Sequence, residues 1–345
     1  LAHKLAFIGF GGVGQGLADI LIDRADWLKE SFGTDFQVVS ITDLYKGTLH
    51  HDEGLDLTKV MTALREHGDL TNYPDEPGLV RDWDTLTTIQ KSSADTILEI
   101  TFTDIETGQP AIDHCKAAFE AKKNVVLTNK GPIALAVKEL EALAQANGVQ
   151  LSYEGTVMSG TPALRLPQET LKGNHINSIR GILNGTTNYM LKRMEEGLSY
   201  DEALQEAQEK GYAEADPTSD VEGYDVLYKV VILANVVLGE TLTKDDVYRE
   251  GISHLTPKDM EQALSNNCRW KLVGRIEQTS NGIKASVAPE QLPLTDPLSS
   301  ISGAQNAITY DCDLSGPITL VGAGAGIPET GFALLIDLLH TTTQQ

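Results

Sequence analysis

Acids and a lysine crowd the stretch from Ala207 to Lys229, directly before the apolar run Val226–Leu238. Asp225 and Lys229 are four residues apart, so they share one face of any helix that begins near Gly223. Glu214, Asp216 and Asp220 lie just upstream in a segment punctuated by Gly, Pro and Ser, which can present them to the same cavity. The apolar run draws the lysine inward, and an ionisable group held against a core is either paired or used in catalysis. A buried ammonium next to a carboxylate can carry a proton. A solvated acidic loop capping a helix N-terminus is the bland alternative on spacing alone.

The elements that must position such a group start at the other end of the chain. Leu5–Ile8 reads as an apolar strand, and Leu17, Ile20 and Leu21 as the apolar stripe of a helix. Between them Gly9, Gly11 and Gly14 form G-x-G-x-x-G, with Gly12 and Val13 inside the same turn. In this context the first glycine permits the tight turn, the second lets a pyrophosphate approach the backbone, and the third lets helix pack on strand. A dinucleotide cofactor is therefore expected here. The run from Gln37 to Asp43 is a second strand ending in an acid suited to a ribose hydroxyl. That acid lies further from the glycines than the usual spacing of about 20 residues, so an extended helix exit over residues 27–34 is expected. Lys46 follows it closely enough to offset its charge, which leaves NAD and NADP both open.

Strand-like and helical patterns alternate through the first 150 residues, the mark of βαβ units and a parallel sheet. Residues 50–75 read as a helical insertion covering the sheet. The strand in DTILEITFTD runs out into Thr101 and Thr103, at the end of a parallel sheet where ligands bind, although a threonine there can equally cap a helix. Lys130 stands at the tip of the next strand, before Gly131-Pro132. After Gly148 the alternation becomes less regular. Asn184-Gly185 is a turn between strand and helix, with Thr186 and Thr187 able to cap that helix or bind a small anion. The tail is a strand, a turn with Gly322, Gly324 and Gly326, and a closing amphipathic helix.

With 345 residues the chain is long enough for two or three domains. Its formal net charge of −22, from 27 basic and 49 acidic residues, opposes a nucleic-acid or anionic-membrane partner. The longest apolar stretch falls well short of the roughly 18 residues of a membrane span. The short N-terminal apolar run reads as a first strand and not as a signal peptide. Three scattered cysteines, Cys115, Cys268 and Cys312, have neither disulfide-framework nor metal-ligand spacing, and a reducing cytoplasm is the expected setting.

Ala207, Gly211, Tyr212, Ala213, Asp216, Pro217, Asp220, Val221, Gly223, Asp225 and Lys229 together match the long signature of homoserine dehydrogenases. The glycine fingerprint, Thr128-Asn129-Lys130, the EGTVMSGTP segment, the NGT turn and the GAGAG tail follow in order, so the chain resembles that family over essentially its whole length. Met158-Ser159 departs from it, where small residues are more usual, and no C-terminal regulatory ligand-binding domain follows before Gln345. The resemblance implies an α/β protein. A Rossmann-like dinucleotide-binding domain over 1–132 is expected, then an α+β substrate-binding and dimerisation domain over 133–305, with 306–345 returning to the first. It further implies NAD(P)-dependent interconversion of L-homoserine and L-aspartate 4-semialdehyde by a cytoplasmic homodimer or homotetramer.

Among the site residues, the resemblance implies that Lys229 or Lys130 moves the proton and that Asp225 partners Lys229. Glu214, Asp220, Tyr212, Gly185, Thr186 and Lys130 hold the amino acid. Gly9, Gly11, Gly12, Val13, Gly14, Asp43, Thr101, Thr103, Lys130 and Gly326 hold the cofactor. A sodium-like ion takes the Glu154 carboxylate and the carbonyls of Val157, Ser159 and Thr161. A related aspartate-semialdehyde dehydrogenase would need a cysteine nucleophile with a histidine nearby, and no cysteine here has such a setting. The rival from another class is a dinucleotide sensor without catalysis.

Overall fold

The computed structural model describes residues 2–343, which fall into two compact units. One comprises the chain up to Gly160 and again from Gly326 onward, the other Thr161–Ala325. The first opens with β1 (His3–Ile8), α1 (Gly12–Asp23), α2 (Ala25–Phe32), β2 (Phe36–Asp43), β3 (Gly47–His50) and α3 (Leu57–His67). It continues through α4 (Thr85–Lys91), β4 (Thr96–Glu99), α5 (Ala111–Glu120), β5 (Asn124–Leu127), α6 (Lys130–Asn147) and β6 (Leu151–Ser152). The strands order as β3-β2-β1-β4-β5-β6, all parallel except β3, which pairs antiparallel with β2. Helices on both faces of a parallel sheet bury its strands completely, which is why Leu5, Phe7, Ile8, Val39, Ile41, Ile97 and Leu98 make near-continuous apolar runs. Strand order reverses between β1 and β4, and the crevice at their carboxyl ends is where such sheets take ligands.

The extra length before Asp43 is a second helix. Arg24 leaves helical geometry at the end of α1, and α2 then runs to a left-handed Gly33. The expected helical insertion over residues 50–75 is a helix only in part. The helical part is α3, and just ahead of it residues 47–50 pair antiparallel with β2 as an edge strand in which Leu49 and His50 are buried.

The second unit contains β7 (Ile176–Ile182), α7 (Gly185–Glu195), α8 (Tyr200–Glu209), α9 (Thr218–Val221), α10 (Tyr224–Val237), β8 (Val247–Arg249) and α11 (Pro257–Ser265). Four long strands complete it: β9 (Cys268–Thr279), β10 (Gly282–Pro293), β11 (Gln305–Cys312) and β12 (Gly316–Ala323). Its sheet orders as β12-β11-β7-β9-β10-β8, antiparallel apart from the β10–β8 pair. Val226, Leu227, Val230, Val231, Ile232, Leu233 and Ala234 of α10 are buried on nearly every side, as an all-apolar helix requires.

The last helix, α12 (Ile327–Thr343), belongs to the first unit. Added Cβ atoms at Gly16 and Gly331 would lie 2.7 Å from Ile327 O and 2.9 Å from the Gly16–Leu17 backbone, so α1 and α12 approach closely through facing glycines. This division differs from boundaries drawn at residues 132 and 305. The β5–α6–β6 segment extends the first sheet by one more βα unit, whereas β11 and β12 complete the second. No helix among the described residues is long and apolar enough to cross a membrane.

Candidate active site

In the second unit, α10 begins at Gly223, whose left-handed conformation (φ 79°) turns the chain from α9 into the helix. One helical turn separates Asp225 from Lys229, as their spacing predicts. The Lys229 side chain, with the residue only 6% exposed, donates from Nζ to Asp225 Oδ2 at 2.6 Å and to the Leu183 carbonyl at 2.6 Å. Asn184 is the N-cap of α7 and accepts from the Thr187 amide through Oδ1. Its Nδ2 donates to Asp220 Oδ1 at 2.6 Å and to Asp225 Oδ2 at 3.0 Å. A lysine, two carboxylates and an amide thus form one hydrogen-bonded group where β7 hands over to α7. Thr186 donates its hydroxyl to the Tyr212 carbonyl, tying α7 to the acidic segment.

Burial is the foremost influence on Asp220 and lifts its carboxyl above the ordinary range, helped by the Asp225 carboxylate and opposed by Asn184, Lys229 and Thr186. A raised folded-state pKa means that the folded protein binds this proton more tightly than the unfolded chain. The destabilising cost is absent below the unfolded value near 4 and is complete above the folded one. Asp220→Asn is therefore expected to melt at higher temperature than the parent at pH 7, with the two converging as pH falls below about 4. Thermal melts across that range check it. A difference independent of pH, or a variant less stable at pH 7, contradicts the assignment.

In the first unit the three fingerprint glycines fill three distinct roles. Gly9 has φ +89°, and a Cβ there would stand 2.6 Å from Ile100 O, so it makes the turn and lets β4's exit lie against it. A Cβ on Gly11 would meet nothing within 4 Å, which leaves open backbone at the start of α1. One on Gly14 would press on Ile100 Cδ1 at 2.8 Å and Phe10 Cδ2 at 3.1 Å, the close packing of helix on strand. Asp43 returns to this turn, accepting from Phe10 N through Oδ2 at 2.8 Å and from the Tyr45 and Lys46 amides through Oδ1 at 3.0 Å each. Although burial works to raise its pKa, these backbone donors and the Lys46 ammonium hold the carboxyl below the ordinary value.

Comparison with known proteins decides the family. A family model described as homoserine dehydrogenase matches residues 162–339. The NAD(+)-dependent homoserine dehydrogenase of Pseudomonas canavaninivorans is 46% identical over 339 residues, spanning 98% of this chain and 96% of that protein. The chain belongs to the homoserine dehydrogenase family. The homoserine dehydrogenase of Methanocaldococcus jannaschii is 42% identical over 97% of each chain. A hyperthermophilic archaeal homoserine dehydrogenase solved in complex with NADPH superposes with a TM-score of 0.84, at 29% identity, over 100% of this chain and 99% of the other. The two sheets described above match the Rossmann-like domain and second domain of homoserine dehydrogenase structures.

Against the homoserine dehydrogenase signature, Lys229, Asp225, Asp220 and Thr186 come together, and Gly185 sits where a Cβ would strike Ala304 O at 2.6 Å. Tyr212 contributes its carbonyl while its ring, 44% exposed, packs near Tyr189. Glu214 lies on an exposed turn, where its carbonyl accepts from Gln208. Helix capping falls to Asn184 and not to Thr186 or Thr187, since the amide one residue before the turn reaches the N3 amide directly.

In the first unit Thr101 donates to the buried Glu99 at 2.5 Å, and Thr103 is exposed. Lys130 is not at a strand tip. Asn129 caps α6 after β5 has ended at Leu127, which puts Lys130 in the first helical turn. Gly326 has φ 135° and accepts from the Thr330 amide at 2.9 Å in the opening turn of α12. Glu154 is buried and its amide donates to Asp337 at 2.9 Å. Met158 and Ser159 both carry positive φ, 58° and 53°, a costly conformation for residues with side chains, and it falls at the family departure noted above. Val157 is buried beside them, and in the second unit Thr161 donates its hydroxyl to the Ala323 carbonyl at 3.1 Å.

Asn184 and the Leu183 carbonyl are the participants that sequence reading passed over. A lone asparagine before glycine reads as a turn, and a carbonyl leaves no trace in a residue type. The N-cap preference of asparagine was the available signal.

Proposed function

We propose that this protein interconverts L-homoserine and L-aspartate 4-semialdehyde with NAD or NADP, with Lys229 as the proton carrier. The observation that carries this reading is the buried Lys229 ammonium, fixed by Asp225 and the Leu183 carbonyl with one N–H left for a ligand. The glycine turn and Asp43 supply what a dinucleotide needs: open backbone at a helix N-terminus and an acid beside it. Gly12, Val13, Thr101, Thr103, Lys130 and Gly326 are proposed to line the cofactor.

A bound nicotinamide supplies or accepts the hydride at C4 of the amino acid. In reduction Lys229 gives a proton to the alkoxide that develops there, and in oxidation it takes that proton back. Asp225 and Leu183 fix the ammonium's position and Asn184 fixes Asp225, so little reorganisation is left for the reaction. Asp220 and Glu214 are suited to the substrate ammonium, with Tyr212, Gly185 and Thr186 as further substrate contacts. Glu154, with the Val157 and Ser159 carbonyls, is proposed to hold a sodium-like ion. One buried carboxylate beside carbonyls on a bent backbone is an oxygen-only donor set, which suits a hard cation.

By the family resemblance alone, the enzyme would serve threonine, methionine and isoleucine biosynthesis in the cytoplasm as a homodimer or homotetramer. Purified protein mixed with L-homoserine and each oxidised cofactor in turn is expected to generate reduced nicotinamide absorbance with at least one. No absorbance with either would leave a dinucleotide-binding sensor as the better reading.

A further inference from the structure

Asn306, on β11, is 1% exposed, yet neither its Nδ2 nor its Oδ1 has a hydrogen-bond partner. A primary amide buried with both heads unpaired is costly to keep, so a native protein that retains one has a use for it. Its surroundings say which. Across the sheet Ala307 faces Ile182 and Ile308 faces Gly181, which in turn faces Gly274. Alternate residues of a strand share a face, so Asn306 projects on the side of Ile308, Gly181 and Gly274. A Cβ on Gly274 would meet Val226 and Val230, which shows that this is the face covered by α10. Asn306 lies one residue beyond the Ala307–Ile182 pair, level with Leu183, whose carbonyl holds Lys229. The amide is flattened against Gly324, where a Cβ would come within 2.0 Å of Nδ2 and 2.5 Å of Oδ1.

We propose that Asn306 is a substrate-binding residue whose amide holds the C4 oxygen of the amino acid. This rests on the function proposed above. Nδ2 donates to that oxygen as aldehyde, alkoxide or hydroxyl, which leaves the single hydroxyl proton of the alcohol form directed at Lys229. One amide therefore serves both ends of the reaction, and Gly324 is glycine because any side chain would displace it.

The test compares parent, Asn306→Ala and Gly324→Ala in homoserine oxidation, together with inhibition by L-2-aminobutyrate, which lacks the C4 oxygen. Both variants are expected to lose roughly 10- to 100-fold in kcat/KM, the loss of one hydrogen bond to a developing charge. The L-2-aminobutyrate Ki should stay within about twofold of the parent's, the margin set by contacts that the substitution leaves alone. If Asn306→Ala does not accumulate as folded protein, Asn306→Asp has the same shape without the donor and carries the same expectation. An active parent with unaffected variants overturns this assignment alone. So does a Ki that weakens in step with kcat/KM, because Asn306 would then shape the α-amino end. A parent inactive with both cofactors overturns this assignment and the proposed function together.

Discussion

Lys229→Met is expected to lower kcat by about 10²- to 10⁴-fold, the usual contribution of a positioned proton donor, while cofactor affinity changes little. Methionine fills much the same space among the apolar side chains of α10, so loss of packing is small. The proton is what disappears. The Leu183 carbonyl loses its donor, and Asp225 keeps Asn184 but loses the positive charge that offsets it and Asp220. Some loss of stability accompanies this, since removing one partner of a buried pair leaves the other uncompensated. The glycine turn proposed to hold the dinucleotide belongs to the other unit, so titration of NAD⁺ or NADP⁺ into the variant should match the parent. Steady-state rates within about tenfold of the parent's, below the general-acid range, would falsify the role of Lys229. Lys130→Met, measured alongside, then becomes decisive between the two lysines.

The second large effect concerns the fold of the glycine turn. Gly9→Ala is expected to destabilise the protein by about 2–5 kcal/mol, from a backbone conformation costly for L-residues and from overpacking against atoms that cannot move aside. The added methyl would stand 2.6 Å from the Ile100 oxygen and 3.0 Å from the Thr101 nitrogen, both backbone atoms at the exit of β4. Against a typical total of about 5–15 kcal/mol, that is a large share. Gly11→Ala is the contrasting case. Its methyl points into open space, so stability should shift by less than about 1 kcal/mol, roughly the helix-start preference of glycine over alanine, while dinucleotide affinity falls. Denaturant midpoints and cofactor titrations on both variants separate the turn-making glycine from the ligand-facing one. Equal effects of the two substitutions on both measurements would remove that distinction.

Much of the site was legible because it depends on short-range spacing. Asp225 and Lys229 sit one turn apart in any helix, and the fingerprint glycines are defined by a single strand-turn-helix. Asp43 was legible with a wrong-looking interval, which the break at Arg24 and the added helix α2 account for. What stayed hidden depends on register between distant segments. Nothing near Asn306 in the sequence shows that it lies beside Leu183, because that neighbourhood is made by pairing β11 with a strand more than 120 residues earlier. The edge strand at residues 47–50 was hidden for a related reason: four residues are too few for periodicity to separate strand from helix. Lys130 was misplaced by three residues, an error that Asn129 as a helix cap resolves.

The return of α12 to α1 imposes an order on biogenesis. Leu334, Leu335 and Leu338 complete the same core as Phe7, Phe10 and Leu17, although the whole second unit is synthesised in between. During translation the nucleotide-binding half must therefore wait, with that apolar surface uncovered, until residues 327–343 leave the ribosome, whereas Thr161–Ala325 can finish earlier as an uninterrupted stretch.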